Sequence, residues 1–128
     1  MADVQAPAWT RGGLVELPLG PALWESVFTI APLVLVGTKE ADGWDFAPKH
    51  LAMPLGWAGF YCFACTPEHA TYRNVQAHPQ FTVSFPQPDQ ILTSSFTAGG
   101  RTEKDVKPTL AAVPTAPARV VDGRVVQG

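Results

Sequence analysis

The stretch Cys65-Thr66-Pro67-Glu68-His69-Ala70-Thr71-Tyr72-Arg73-Asn74-Val75-Gln76-Ala77-His78-Pro79-Gln80-Phe81-Thr82-Val83-Ser84 reads as a strand end, a turn, a short helix, a second turn and another strand. Thr71 stands where the helix opens, because a Thr hydroxyl can cap free N–H groups. The helix stops at His78-Pro79, since the residue before a proline is driven out of the helical region. Phe81-Thr82-Val83-Ser84-Phe85 then alternates with the period of a strand. A helix mouth presents unpaired N–H groups and the positive end of the helix dipole, and here the Thr71 hydroxyl and Arg73 guanidinium lie beside it. That is the chemistry of a phosphate seat. A plain cap and a solvated surface charge account for the same two residues equally well.

Upstream, the run from Phe28 to Thr38 is apolar and β-branched, with Pro32 at a strand start or bulge and Leu33 to Thr38 as its surest part. Asp42-Gly43 is a hairpin signal, and Trp44 to Ala47 is the returning strand. Ala47-Pro48-Lys49-His50-Leu51-Ala52-Met53-Pro54-Leu55-Gly56 lacks a period and contains two prolines, so it reads as a loop. Phe60 to Cys65 is a continuous apolar run, expected as a strand buried on both faces. Downstream, Asp89 to Ala98 reads as a short helix capped by Asp89 and stopped by Gly99-Gly100. Lys107 to Val113, with Pro108 in its first turn, reads as another. Arg119 to Val126 reads as two β segments joined directly by Asp122-Gly123, with the second cut short at Gly128.

The 128 residues, 46% hydrophobic and 10% aromatic, are enough for one domain with a real core and exclude a disordered chain. Thirteen Pro and 11 Gly, spread without a repeat, cut it into short segments, so the expected class is mainly β with short helices. Residues 1–26 read as an arm anchored by Trp9 and Trp24, and residues 27–128 as the domain. A net charge of −2 without a Lys/Arg cluster gives no footprint for nucleic acid or an anionic membrane. No apolar run reaches the roughly 18 residues of a membrane span and no signal peptide opens the chain, so a cytoplasmic location is expected.

Four segments in order resemble the flavin-reductase-like, FMN-binding split-barrel family. They are Pro32 to Thr38 through Asp42-Gly43, the loop Phe46-Ala47-Pro48-Lys49-His50, the segment Thr66 to Val75, and the strand Phe81-Thr82-Val83-Ser84. The resemblance runs from about Ile30 to Pro117. It implies a Greek-key split β-barrel, a homodimer, with FMN between the loop after the second strand and the mouth of the short helix. By this likeness Ala47, Pro48, Lys49 and His50 line the isoalloxazine, His69, Ala70 and Thr71 approach the phosphate, and Arg73 and Asn74 follow in the helix. Glu68 departs from the pattern, standing where a basic residue is common. The family runs some tens of residues further, so the C-terminal part of its domain is expected to be missing here.

FMN needs an apolar slot for its ring and a dianion seat for its phosphate, and an apolar loop followed by a helix mouth offers both. Lys49 is expected to stabilise a reduced, anionic flavin edge and His50 to exchange a proton there. The implied activity is an FMN-dependent oxidoreductase that takes electrons from NADH or NADPH and passes them to oxygen, free flavin or an oxygenase partner. A non-catalytic flavin-binding module of the same barrel is the alternative.

Cys62-x-x-Cys65 with His69 imitates the start of a zinc site, which would make the chain a zinc-stabilised interaction domain. Residues three apart in a strand face opposite sides, however, so no metal is expected and both cysteines read as buried free thiols. A thioredoxin-type pair would open a helix, whereas this one ends a strand. Gly99-Gly100-Arg101-Thr102 is flexible and basic, a contact for a phosphate or a nicotinamide cofactor or simply a loop.

Overall fold

The computed structural model describes residues 31–128. The expected arm with Trp9 and Trp24, and the start of the strand at Phe28, lie outside the described residues. Seven strands and three short helices follow in the order β1 Val34–Glu40, β2 Gly43–Lys49, β3 Ala52–Leu55, β4 Phe60–Phe63, α1 Ala70–Ala77, β5 Phe81–Ser84, α2 Ile91–Thr97, a 3-10 helix Pro108–Ala112, β6 Thr115–Pro117 and β7 Arg124–Val126. The chain is mainly β, as its composition implied. Among the described residues the strands hydrogen-bond as three separate antiparallel sheets, β2-β1-β5, β3-β4 and β6-β7, without closing into one barrel.

β1 is the central strand, and its Val34-Leu35-Val36 run is wholly buried, as an apolar strand covered on both faces must be. It pairs with β2 from Val34↔Lys49 to Glu40↔Gly43 and with β5 from Leu35↔Ser84 to Thr38↔Phe81. The tight turn between β1 and β2 is Ala41-Asp42, one residue earlier than the Asp42-Gly43 signal suggested. Gly43 opens β2 at φ 127°, in the region where a side chain is strained. Most of the residues expected as a loop after this hairpin are instead strand, with a bend at His50 and Leu51. Ala47, Pro48 and Lys49 complete β2, and Ala52 to Leu55 form β3. Two prolines are tolerated there because β2 edges its sheet and a two-stranded sheet has only edges.

β4 ends at Phe63, before Cys65, and its residues are exposed or half-buried, which corrects the expected strand covered on both faces. Its inner residues Tyr61 and Phe63 pack with Phe81 and Val83 on a core of Val34, Val36 and Ala52. Phe63 meets Phe81 edge to face, with centroids 5.1 Å apart. This cluster joins the β3-β4 hairpin to the central sheet. Ala52 is buried and Tyr61 and Phe63 are half-buried in this cluster, so the apolar surface of these three residues holds the hairpin to the sheet.

The Asp122-Gly123 signal also shifts: β7 pairs with β6, Thr115↔Val126 to Pro117↔Arg124, across a connection of residues 118–123. Thr82 Oγ1 donates to the Arg124 carbonyl at 2.5 Å, and Val126 N–H donates to Ser84 Oγ at 3.0 Å, seating β7 against β5. Gly37 makes that approach possible. A Cβ at this position would stand 2.9 Å from the Arg124 carbonyl oxygen and 2.8 Å from a Phe46 ring carbon.

Candidate functional site

The sequence of α1 explains its placement. Asn74 Nδ2 donates to Thr38 Oγ1 at 3.0 Å and Glu40 Oε1 at 3.4 Å, which fastens the middle of the helix to β1. His78 N–H closes its last turn on the Asn74 carbonyl, and Pro79 cannot continue it. The N-cap is His69 rather than Thr71. Among the described residues no side chain caps the helix, and Thr71 is buried in its first turn. The helix mouth is therefore open for a different reason from the one expected: Ala70 and Thr71 contribute first-turn N–H groups beyond the reach of intrahelical acceptors.

That mouth faces the end of β2 across a cleft of about 460 Å³. Ala47, Pro48 and Lys49 form one wall, His69, Ala70, Thr71 and Arg73 another. Two residues of the expected set lie elsewhere. His50 is exposed on the bend after β2 and does not line the cleft, and Asn74 serves as the anchor just described.

The third wall was not legible in the sequence. It consists of Thr97, Ala98 and Gly99 at the end of α2 with Arg101, Asp105 and Lys107 of the following loop, and Asp45 completes the floor. Arg101 belongs to the Gly99-Gly100-Arg101-Thr102 loop, whose sequence reads as a phosphate or nicotinamide contact or as a plain loop, and it lines the cleft. Asp45 is almost completely buried, with Oδ1 2.8 Å from Lys107 Nζ and 3.1 Å from Arg101 Nη2. Neither cation is aligned for a hydrogen bond to that oxygen, so these contacts are charge against charge. Lys107 also donates to the Phe46 carbonyl at 2.8 Å and the Thr97 carbonyl at 3.0 Å, and so ties the loop to both β2 and α2. Burial opposes the Arg101 charge, but its hydrogen bond to Glu40 at 2.5 Å and the charges of Asp45, Glu40 and Asp105 outweigh that and hold the guanidinium above its usual pKa.

The cations differ in what remains of their charge. Arg73 donates to Asp105 Oδ2 at 3.0 Å and to the Glu68 carbonyl at 2.7 Å. Arg101 faces three carboxylates. Lys49 touches no carboxylate among the described residues: its Nζ donates to Cys65 Sγ at 3.5 Å. The same sulfur lies 3.8 Å from His69 Nδ1, so Lys49 stands close to the helix mouth. Glu68 is at the rim, fully exposed, its carboxyl held below the usual range by the Thr66 hydroxyl and its own backbone N–H, with a smaller contribution from His69. Pro48 and Ala98 also line a neighbouring apolar groove of about 680 Å³ walled by Leu33, Phe85, Pro88 and Ile91.

Both cysteines are free and half-buried rather than fully buried. Among the described residues no group of three or more His, Cys, Asp or Glu side chains is placed to hold a metal ion, and no helix is long and apolar enough to cross a membrane.

The chain matches no protein-family model and no curated protein. Among solved structures it is similar to the flavoredoxin of Desulfovibrio vulgaris (Miyazaki F), with a TM-score of 0.67 and 20% sequence identity over 88% of this chain and 61% of that one. The two share a fold. This chain matches about three fifths of the length of that flavoredoxin.

Proposed function

We propose that the chain binds FMN in this cleft and acts as a flavin-reductase-like oxidoreductase. The observation that carries the proposal is the uncapped mouth of α1 opening onto the same cleft as Lys49, whose charge no carboxylate among the described residues offsets. A phosphate needs such a seat, and an amphipathic ligand needs an apolar surface beside it. The groove that shares Pro48 with the cleft supplies that surface, and the cleft by itself has the volume of a small-ligand site. Glu68 and Asp105 are compatible with the anion: the first is fully exposed and turned to Thr66, the second already shared by Arg73 and Arg101. The likeness to a flavoredoxin agrees in fold.

In this reading the N–H groups of Ala70 and Thr71 bind the phosphate, with the Lys49 ammonium beside it. Ala47 and Pro48 hold the ring against the β2 backbone, and Lys107 and Arg101 fix the loop that closes the third wall. Bound FMN supplies hydride and single-electron chemistry. The donor is NADH or NADPH, and the acceptor is oxygen, free flavin or an oxygenase partner. A homodimer covers the β3-β4 hairpin, where Met53, Leu55, Trp57 and Phe60 are all more than half exposed.

Titration of the pure protein with FMN tests the binding, with a perturbed visible spectrum expected. An unchanged spectrum and unquenched flavin fluorescence at high protein concentration refute it. Oxidation of NADH or NADPH with added FMN distinguishes the oxidoreductase from a non-catalytic module.

A further inference from the structure

The two cysteines are both half-buried and have very different neighbours. Cys62 sits in β4 with its Sγ 3.5 Å from the Met53 carbonyl, a purely backbone contact. Cys65 lies past the strand end, with the Lys49 ammonium at 3.5 Å, the His69 Nδ1 at 3.8 Å and the Thr66 carbonyl at 3.7 Å. A cysteine reacts through its sulfur anion, so a cation and a ring nitrogen at contact distance are the two groups that promote attack. Cys65 also borders a small cavity of about 290 Å³ lined by Phe63, Thr71, Tyr72, Val75 and Gln76, which gives a small reagent room beside this residue.

We propose that Cys65 is a reactive thiol, oxidised reversibly by hydroperoxides, with His69 as proton acceptor and Lys49 as the stabilising cation. The sulfur attacks one oxygen of the peroxide: an S–O bond forms, the O–O bond breaks, and the thiol proton passes through His69 to the departing oxygen. The thiol and hydroperoxide thus become sulfenic acid and alcohol, or water when the oxidant is hydrogen peroxide. Sulfur loses two electrons and the peroxide gains them. Two equivalents of a small thiol restore Cys65, releasing one disulfide and one water. Because Lys49 and His69 also border the cleft, the sulfur-bound oxygen competes for the Lys49 ammonium and weakens anion binding, a consequence that rests on the FMN reading.

The thiol chemistry is tested without any flavin. Full-length protein is treated with iodoacetamide under pseudo-first-order conditions and both cysteines are followed by peptide mass spectrometry, and in parallel samples hydrogen peroxide is added with dimedone to trap sulfenic acid. Cys65 is expected to alkylate about tenfold faster than Cys62 and to carry the dimedone adduct. Lys49→Met and His69→Phe should each slow Cys65 several-fold, while the Cys62 rate, measured in the same molecules, reports that the fold is retained. Equal rates at the two cysteines, or a Cys65 rate indifferent to both substitutions, overturn the proposal. FMN titration before and after peroxide, in the wild type and in Cys65→Ser, tests the consequence: loss of affinity in the wild type alone supports it, and equal affinity throughout overturns it. A protein that binds no FMN at all refutes the reading of the cleft, while the alkylation rates still decide the thiol chemistry.

Discussion

Replacing Lys49 by Met should weaken FMN binding about tenfold, and replacing Arg73 by Met should weaken it much less. An ordinary reading would rank them the other way, since Arg73 is the guanidinium nearest the expected phosphate in sequence and arginine pairs well with phosphate. The structure reverses the order. Arg73 is half exposed, and its charge is already met by Asp105 at 3.0 Å, so an incoming phosphate meets a pair that is close to neutral. Among the described residues Lys49 has only a sulfur for a partner, and it lies beside the helix mouth. A hydrogen bond to a charged group contributes about 1.5–3 kcal/mol, and a half-exposed ammonium belongs at the lower end because water screens it. About 1.5 kcal/mol is roughly tenfold in Kd.

Riboflavin provides the internal control, since it keeps the ring and lacks the phosphate. Titration by quenching of flavin fluorescence, at low and moderate salt, measures both ligands in both variants. Lys49→Met should lose FMN affinity with little change for riboflavin, and the FMN loss should shrink as salt rises. A larger loss from Arg73→Met would show that Asp105 does not neutralise Arg73 in solution. Equal losses for FMN and riboflavin in Lys49→Met would place the ammonium at the ring, not at the phosphate.

Glu68→Gln should tighten FMN binding by about twofold at neutral pH, because the native carboxyl, held below its usual range, is fully ionised there and repels the phosphate weakly through water. As pH falls through the lowered pKa of Glu68, wild type and variant should converge, and a difference that persists in acid would assign it to another cause. Lys107→Met should destabilise the fold by about 3 kcal/mol in urea unfolding, since it strands the buried Asp45 and two backbone carbonyls. Asp45→Asn should cost less, because Lys107 keeps both carbonyls and Arg101 keeps Glu40; a larger loss for Asp45→Asn would contradict this ordering. Gly37→Ala should cost about 2 kcal/mol by forcing β7 away from β1, seen as a lowered urea midpoint, and an unchanged midpoint would mean that β7 is not seated as described. Trp57→Glu combined with Phe60→Glu should shift light scattering from dimer to monomer, and a wild type already monomeric at high concentration would remove the hairpin as an interface.

The local signals in the sequence located elements better than they fixed edges. β1 and β5 were legible because their patterns are apolar or alternating and their ends carry turn residues. Prolines caused the main error. Pro48 and Pro54 made a loop of residues that are strands, since a proline argues against a strand only where its missing N–H is needed, and edge positions do not need it. The cap of α1 was misplaced by two residues because Thr is the better capping side chain, whereas the chain seats Thr71 in the interior and puts His69 at the cap, where its side chain makes no capping bond. Asp122-Gly123 failed as a tight turn because β7 finds its partner in β6, and no local signal encodes a pairing that depends on where Thr115 to Pro117 lie.

The site divides along the same line. Its walls from β2 and α1 were recoverable, because residues 47–49 and 69–73 are short segments whose chemistry is visible in order. The third wall depends on Asp45, Arg101 and Lys107 meeting across a long stretch of chain, and separately these are an acid in a strand, a loop arginine and a lysine before a proline. Their meeting matters more to the cleft than any single motif does. An acid as buried as Asp45 needs cations beside it, and the two that approach it come from the loop that forms the far wall. The electrostatic demand of one buried carboxylate therefore fixes the position of that wall. It also engages the charges of Arg101 and Lys107, which leaves Lys49 as the cation of the cleft best able to meet an incoming anion.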